Sequence, residues 1–176
     1  ISRRGEGQCD SGNAGCRIRE IIMKIIFIGD LYGKIGRRAV AEILPSWRKK
    51  YKPDFVIAQN ENIAHGVGIT EKTLKEVLDS GVDVMTGGNH TFKGEGAKLL
   101  ERGDLPILRP ANYPEDLPGS GERVVESKDG KYRLLVVNLI GRVFFHENFE
   151  DPFRTADAIL KRHKNKEYAG VFVDFH

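Results

Sequence analysis

The stretch VDVMTGGNHTF, residues 82–92, decides both the fold class and the place of a functional site. Its first half is a largely apolar run, typical of a short strand buried on both faces of a parallel sheet. Gly87 and Gly88 end this run, and Asn89 and His90 follow them. A buried strand therefore ends in two small residues and in two side chains that can bind a metal ion or transfer a proton.

Apolar runs and helical patterns alternate on both sides of this stretch. Strands are predicted at residues 24–29, 54–59, 82–87, 105–109 and 169–176, with an antiparallel pair at 121–127 and 132–141. Helices are predicted at residues 36–50, 70–81, 93–102 and 151–164. Pro45 is expected to kink or shorten the first helix. This alternation predicts a layered α/β fold with a largely parallel central sheet.

The composition fits one ordinary folded domain. Hydrophobic residues make up 40% of the chain and charged residues 30%, which excludes a disordered or fibrous protein. The net charge of +3 is too small to indicate nucleic-acid binding by itself. No apolar run approaches the roughly 20 residues of a membrane helix, so a cytoplasmic protein without membrane contact is expected.

The first 22 residues differ from the rest of the chain. They are rich in glycine, serine and charge, and they contain both cysteines, Cys9 and Cys16. The continuous apolar core of a signal peptide, about 7–15 residues, is missing from them. We expect residues 1–22 to be a disordered or non-native extension, and residues 23–176 to form the domain.

Four of the predicted strands end in side chains with carboxylate, amide or imidazole groups. These side chains are Asp30, Glu61, Asn62, Asn89, His90 and His176. Ligands of such sheets bind beyond the carboxyl ends of the strands, so we expect the six to lie near one another. Each also has an ordinary alternative role, such as a helix cap for Asp30 or a solvated loop residue for Glu61.

This mixture of oxygen and nitrogen donors suits Mn, Fe or Zn better than calcium, which prefers oxygen alone. A carboxylate that bridges two ions about 3.5–4 Å apart holds both the attacking and the leaving oxygen of a phosphoryl displacement. Gly29, Gly87 and Gly88 leave room for a phosphate. A histidine outside the ligand set can protonate the leaving oxygen. Phosphoester hydrolysis with two metal ions is one common use of such a set of groups.

The ordered set of motifs resembles the calcineurin-like metallophosphoesterases and, among them, the YmdB-like branch. The motifs are IFIGD (26–30), NENIAHGVGIT (60–70), GGNHTF (87–92), RPANYP (109–114), DPF (151–153) and DFH (174–176). They extend over nearly the whole chain from Met23 to His176. The resemblance implies a metallophosphoesterase-like fold and a phosphodiesterase that acts on cyclic nucleotides, notably 2′,3′-cyclic ones.

The resemblance also implies a role for each site residue. Asp30 and Asn62 would hold one ion, Asn89 and His176 would hold the second, and Glu61 would bridge the two. His90 would not be a ligand but would face the phosphate and protonate the leaving group. The nucleophile would be a metal-bound hydroxide with a pKa lowered toward ~7.

Two departures from the family pattern matter. The superfamily begins with Asp-x-His, whereas Asp30 is followed here by Leu31 and Tyr32. Relatives also continue past the DFH motif to a Gly-x-His-x-His pair that completes both ion shells, whereas this sequence stops at His176. We therefore predict an incomplete fold that lacks its C-terminal part, binds metal weakly and has little activity alone.

Other functions and partners stay open on the sequence alone. GDLYGKIG (29–36) has the position of a dinucleotide fingerprint, although Leu31 replaces its second glycine. A regulatory or RNA-interacting protein without catalysis is the other alternative, with RKKYK (48–52) as a basic patch. Arg109 could pair with phosphate or with protein groups, and His65 could lie at the rim of the pocket. The substrate is expected to be a phosphorylated small molecule, a cyclic nucleotide or an RNA-related compound, and a homo-oligomer is compatible with the sequence.

Overall fold

The computed structural model describes residues 22–145 and 147–176, and these contain two sheets of three strands each. The predicted N-terminal extension therefore lies outside the described residues, apart from Ile22. The first sheet is wholly parallel and consists, in spatial order, of β1 (Ile25–Ile28), β2 (Phe55–Gln59) and β3 (Val84–Thr86). The second sheet consists of β4 (Glu122–Glu126), β5 (Arg133–Leu139) and β6 (Gly170–Phe175). Strand β5 is antiparallel to β4 and parallel to β6.

Four helices accompany the two sheets in the described residues. They are α1 (Gly33–Tyr51), α2 (Glu71–Asp79), α3 (Gly96–Glu101) and α4 (Pro152–Arg162). Helix α2 begins in a capping box, in which the Thr70 and Thr73 side chains each accept a hydrogen bond from the other residue's backbone N–H. Among the described helices, none combines the length and apolarity that crossing a membrane requires.

The elements stack as helix, sheet, sheet and helix. On the outer face of the first sheet, Leu44, Leu74 and Leu99 of the first three helices share a core with Val56 and Met85. Between the two sheets lies a second apolar core, formed by Phe55, Ile57, Val84, Leu134, Val136 and Phe172. On the far face of the second sheet, Ile159 of α4 joins a core with three residues of β5. The predicted layered α/β fold is confirmed.

The predicted strand at residues 105–109 is wrong. Only one bridge, Met85 to Ile107, joins this segment to β3. Pro106 and Pro110 have no N–H to donate to a ladder, and the chain then leaves the first sheet. The Arg109 N–H donates to the carbonyl of Ser120, and the Ala111 N–H donates to the carbonyl of Asn138 in β5. The chain passes here from the first sheet to the second. The strands therefore form two separate sheets instead of one central sheet.

Pro45 does not shorten the first helix. Helix α1 runs through it to Tyr51 and ends at Lys52, which has a left-handed conformation with φ of 49°. Proline removes one helical hydrogen bond. Burial of Val40 and Leu44 on the same helix anchors the helix to the core beside that defect.

Candidate metal centre

Six polar side chains meet beyond the carboxyl ends of β1, β2, β3 and β6. They are Asp30, Glu61, Asn62, Asn89, His90 and His176, the six residues singled out from the sequence. Direct contacts link them in one chain, from Asp30 through Asn62, His90, Glu61 and His176 to Asn89. Their ion-binding and catalytic roles stay predictions, whereas their proximity is a property of the fold.

Asn62 joins Asp30 to His90 at one end of this chain of contacts. Its Nδ2 donates to Asp30 Oδ1 at 2.7 Å, and its Oδ1 lies 2.8 Å from His90 Nδ1. The loop that carries Asn62 is attached to the start of α1, because the Asn62 carbonyl accepts a hydrogen bond from the Gly33 N–H at 2.9 Å. Asp30 and His90 are therefore both held by hydrogen bonds to the same side-chain amide, that of Asn62.

Glu61 is the buried centre of the cluster, with 2% of its surface exposed. Its Oε2 accepts from the backbone N–H of His90 at 2.8 Å, and its Oε1 lies 3.2 Å from His176 Nε2. No lysine or arginine among the described residues forms an ion pair with this carboxylate. A buried carboxylate normally requires a compensating positive charge, and the protein side chains around Glu61 offer only imidazoles.

The donor atoms at His176 fit a shared cation. His176 Nε2 lies 3.0 Å from Asn89 Oδ1 and 3.2 Å from Glu61 Oε1, but a ring nitrogen carries at most one proton for two acceptors. Ligands bound at about 2.0–2.2 Å to one ion stand roughly 3 Å apart, which matches these spacings. His, Cys, Asp and Glu alone form no group of three fit to hold an ion within the described ranges. A donor set at this place would therefore have to include the two asparagine amides.

Gly87 and Gly88 lie directly beside the cluster, and a larger side chain at Gly88 would displace members of it. A Cβ on Gly88 would stand 2.7 Å from His176 Nε2 and would also collide with Glu61 Oε2. The N–H groups of Gly87 and Gly88 are held by Asn138 Oδ1 at 2.8 Å and by Thr91 Oγ1 at 2.7 Å. Sequence reasoning missed Asn138, although an asparagine inside the apolar run of β5 was a usable signal.

Arg109 takes the structural role rather than the phosphate-binding one. Its guanidinium, 6% exposed, donates to four backbone carbonyls, those of Pro110, Pro114, Leu117 and Pro118. Burial lowers the pKa of Arg109, and the nearby acidic groups oppose that shift. His65 is exposed and has a φ of 57°, and none of the site contacts described above involves it.

Aromatic side chains line one side of the cluster. The Phe145 ring centroid lies 6.4 Å from that of His176, and Phe149 lies between Phe145 and Tyr113 at 5.6 and 4.8 Å. Burial of the phenol, aided by the negative charges of Glu147 and Glu61, raises the pKa of Tyr113 to about 12. The site therefore has a wall of low polarity next to its imidazole.

Tyr113 is expected to make the protein less stable at high pH. Its folded pKa lies above the unfolded value near 10, so the folded state holds the proton more tightly. Its contribution is complete below pH 10 and is lost as the pH rises toward 12, by about 1–2 kcal/mol after allowance for solvent screening. Urea unfolding of the wild type and Tyr113→Phe at pH 8 and pH 11.5 tests this. A stability difference that stays the same at both pH values would contradict it.

Comparison with known proteins identifies relatives of this chain in sequence and in structure. A model of the YmdB-like protein family matches residues 26–176. The chain is 44% identical over 156 residues to a 2′,3′-cyclic-nucleotide 2′-phosphodiesterase of Bacillus subtilis (strain 168), a match that covers 88% of the chain and 57% of that protein. It is similar to the crystal structure of a hypothetical protein from Thermus thermophilus, with TM-score 0.77, 37% identity and coverage of 88% and 57%. It is also similar to a crystal structure described as a novel phosphatase from Mycoplasma pneumoniae, with TM-score 0.76, 30% identity and coverage of 88% and 55%.

These relatives are considerably longer than the present chain. It spans between 55% and 57% of their lengths. The matched part contains both sheets and all six residues of the cluster, because the family match runs from residue 26 to residue 176.

Proposed function

This chain belongs to the YmdB-like protein family, and on that premise we propose that it is part of a metal-dependent phosphodiesterase that hydrolyses cyclic nucleotides with two ions. Members of its similarity group are named as a phosphodiesterase and a phosphatase, which supports phosphoester hydrolysis. The cyclic-nucleotide substrate, taken from the Bacillus subtilis relative, and the pair of ions belong to the proposal. The RNA-related substrate, the homo-oligomer and the cytoplasmic location stay predictions.

One observation supports the proposal: the buried Glu61 carboxylate lies in the middle of the chain of contacts, without a lysine or arginine partner among the described residues. On one side are Asn89 and His176, which would hold one ion with Glu61. On the other side are Asp30 and Asn62, which would hold a second. Two bound ions would neutralise the phosphate charge and activate a water for attack.

For Asn62 to bind an ion together with Asp30, its side-chain amide would have to flip, so that its oxygen and nitrogen exchange places. In the structure its nitrogen faces Asp30 and its oxygen faces His90. An amide nitrogen does not bind metal, so an ion beside Asp30 requires the amide oxygen on that side. The nitrogen would then donate to His90 Nδ1, which places the ring proton of His90 on Nε2.

His90 is the residue we assign to proton transfer. Its backbone N–H is bound to Glu61 Oε2 and its Nδ1 is held by Asn62, so Nε2 is the nitrogen left for a substrate. Donation of that proton to the leaving oxygen completes cleavage of the phosphodiester. The backbone contact keeps the imidazole in place while the side chain is partly exposed.

Metal removal tests the proposal. A longer version of the protein, carrying the region that its relatives have beyond residue 176, should hydrolyse 2′,3′-cyclic AMP. Activity should disappear in EDTA and return with Mn²⁺. His90→Asn should lower kcat by about 100-fold and leave metal binding intact, because general acid catalysis contributes that order of rate. Turnover by the metal-free protein would contradict the proposal.

The 176-residue chain itself is expected to turn over this substrate only weakly. Its donor set, judged from the described residues, needs two asparagine amides, which are weaker ligands than the further histidines that the family resemblance implies. The same assay run side by side on both lengths checks this. Equal kcat values would contradict it.

The dinucleotide-binding alternative is not favoured by the start of α1. That alternative requires free N–H groups at the helix N-terminus to bind a pyrophosphate. The N–H of Gly33, the first residue of the helix, instead donates to the Asn62 carbonyl.

A further inference from the structure

The inner faces of four strands change from apolar to polar at the same end of the molecule. In β2, β3, β5 and β6, an apolar residue of the core between the sheets is followed two positions later by a polar one. The polar residues, which we call the polar layer, are Gln59, Thr86, Asn138 and Asp174. Gln59 pairs with Thr86 within the first sheet, and Asn138 pairs with Asp174 within the second. The layer therefore separates the apolar core from the candidate metal centre.

Two hydrogen bonds cross this layer from one sheet to the other. Thr86 Oγ1 donates to Asp174 Oδ2, and the Gly87 N–H donates to Asn138 Oδ1 at 2.8 Å. Within the second sheet, Asn138 Nδ2 donates to the Asp174 carbonyl at 3.3 Å, which ties the two acceptors to each other. The ends of β3 and β6 are consequently joined directly beneath the site.

The candidate metal centre depends on this junction, because its ligands come from both sheets. Glu61 and Asn89 follow strands of the first sheet, whereas His176 follows β6 and is held there by backbone bonds to Leu139 and Gly141. Apolar packing sets the distance between the two sheets, but it is non-directional and does not fix their alignment. Hydrogen bonds have preferred distances and angles, so they fix how one sheet sits along the other.

We infer that Thr86, Asn138 and Asp174 are positioning residues, which set the second sheet against the first so that His176 meets Glu61 and Asn89. Thr86 lies three residues before Asn89, and Asp174 lies two residues before His176. A small slip between the sheets at Thr86 and Asp174 is therefore transmitted over two or three residues to the donor atoms. The role in metal binding rests on the proposed function.

Gln59 supplies a matched control within the same layer. It is 4% exposed, and neither amide atom has a hydrogen-bond partner among the described residues. It shares the burial and the position of the positioning residues but does not bond across the sheets. Because replacing an unpartnered buried amide by an apolar side chain removes a desolvation penalty, Gln59→Leu is expected to leave the site unchanged.

The test compares Thr86→Val, Thr86→Ser and Gln59→Leu in the longer protein. We expect Thr86→Val to weaken Co²⁺ binding by about 10-fold or more, as outer-shell changes do, and to alter the visible spectrum of bound Co²⁺. Thr86→Ser restores the hydroxyl and should restore both readouts, and Gln59→Leu should match the wild type. If Thr86→Val does not fold, Thr86→Ala removes the same hydroxyl without adding bulk.

A second readout uses the metal-free protein, which separates this inference from the proposed function. The NMR signals of the Asn89 side-chain amide and the His176 ring should shift in Thr86→Val and stay in place in Gln59→Leu. Wild-type protein that binds no Co²⁺ would sink the proposed function, and the NMR comparison would still decide the positioning role. Unchanged signals and Co²⁺ affinity in a folded Thr86→Val protein would overturn the inference.

Discussion

Gly88→Ala is expected to lower metal affinity at the Glu61 site by about 10- to 100-fold while the protein stays folded. The added methyl group would stand 2.7 Å from His176 Nε2 and would collide with Glu61 Oε2. Glu61 cannot move away easily, because the backbone N–H of His90 holds that same oxygen. His176 would have to swing out, and the spacing between its Nε2 and Asn89 Oδ1 would be lost.

Gly29→Ala is the matched control for this change. Gly29 also follows a strand beside the site, but a Cβ built there meets nothing within 4 Å. Neither glycine has a positive φ, so alanine introduces no backbone strain at either position. Titration calorimetry with Mn²⁺ and thermal unfolding of both variants provide the comparison. Wild-type affinity in Gly88→Ala, or an equal loss in Gly29→Ala, would contradict the geometry.

Arg109→Met is expected to lower the free energy of unfolding by about 4 kcal/mol. The guanidinium is buried and supplies hydrogen bonds to four backbone carbonyls in the segment from Pro110 to Pro118. Methionine fills similar volume but leaves these carbonyls without a donor, and each unsatisfied buried group costs about 1–3 kcal/mol. Some of them would recover water as the segment loosens, which keeps the total below the sum.

Arg123→Met provides the control for the loss of an arginine. Arg123 is only partly buried and donates to a single carbonyl, that of Leu105 at 2.6 Å. We expect it to lower the free energy of unfolding by about 1 kcal/mol. Urea unfolding of the two variants, with Arg109→Lys as an intermediate case that keeps the charge but not the planar fork, measures the difference. Equal losses for Arg109→Met and Arg123→Met would show that the hydrogen bonds from Arg109 to the four carbonyls are not a source of stability.

The meeting of the six site residues could be anticipated because each lies just beyond the end of a strand. Asp30, Glu61 and Asn89 all leave the same parallel sheet at its carboxyl edge, where the fold class itself brings them together. His176 differs, since it belongs to the second sheet. The rule was applied to His176 as to the others, on the expectation of one central sheet, because local sequence pattern does not specify how two sheets face each other.

Other features were beyond sequence reasoning because they depend on contacts between distant segments. The run 105–109 is apolar enough for a strand, but Pro106 and Pro110 limit its pairing to one bridge with Met85. The carbonyls that accept hydrogen bonds from Arg109 surround it only when the loop up to Pro118 folds back over it. The polar layer was readable in part, because Asn138 interrupts an apolar run, but its partner Gly87 lies 51 residues away.

Glu61 and Asn89 follow strands of the first sheet and His176 follows a strand of the second. A cation bound by all three would therefore bind only to molecules in which the two sheets are packed together, which is the docked state. By mass action, each tenfold excess of free ion over its dissociation constant would then add about 1.4 kcal/mol in favour of the docked state. Removal of such an ion would withdraw this contribution, so the midpoint of thermal unfolding should depend on the concentration of free ion.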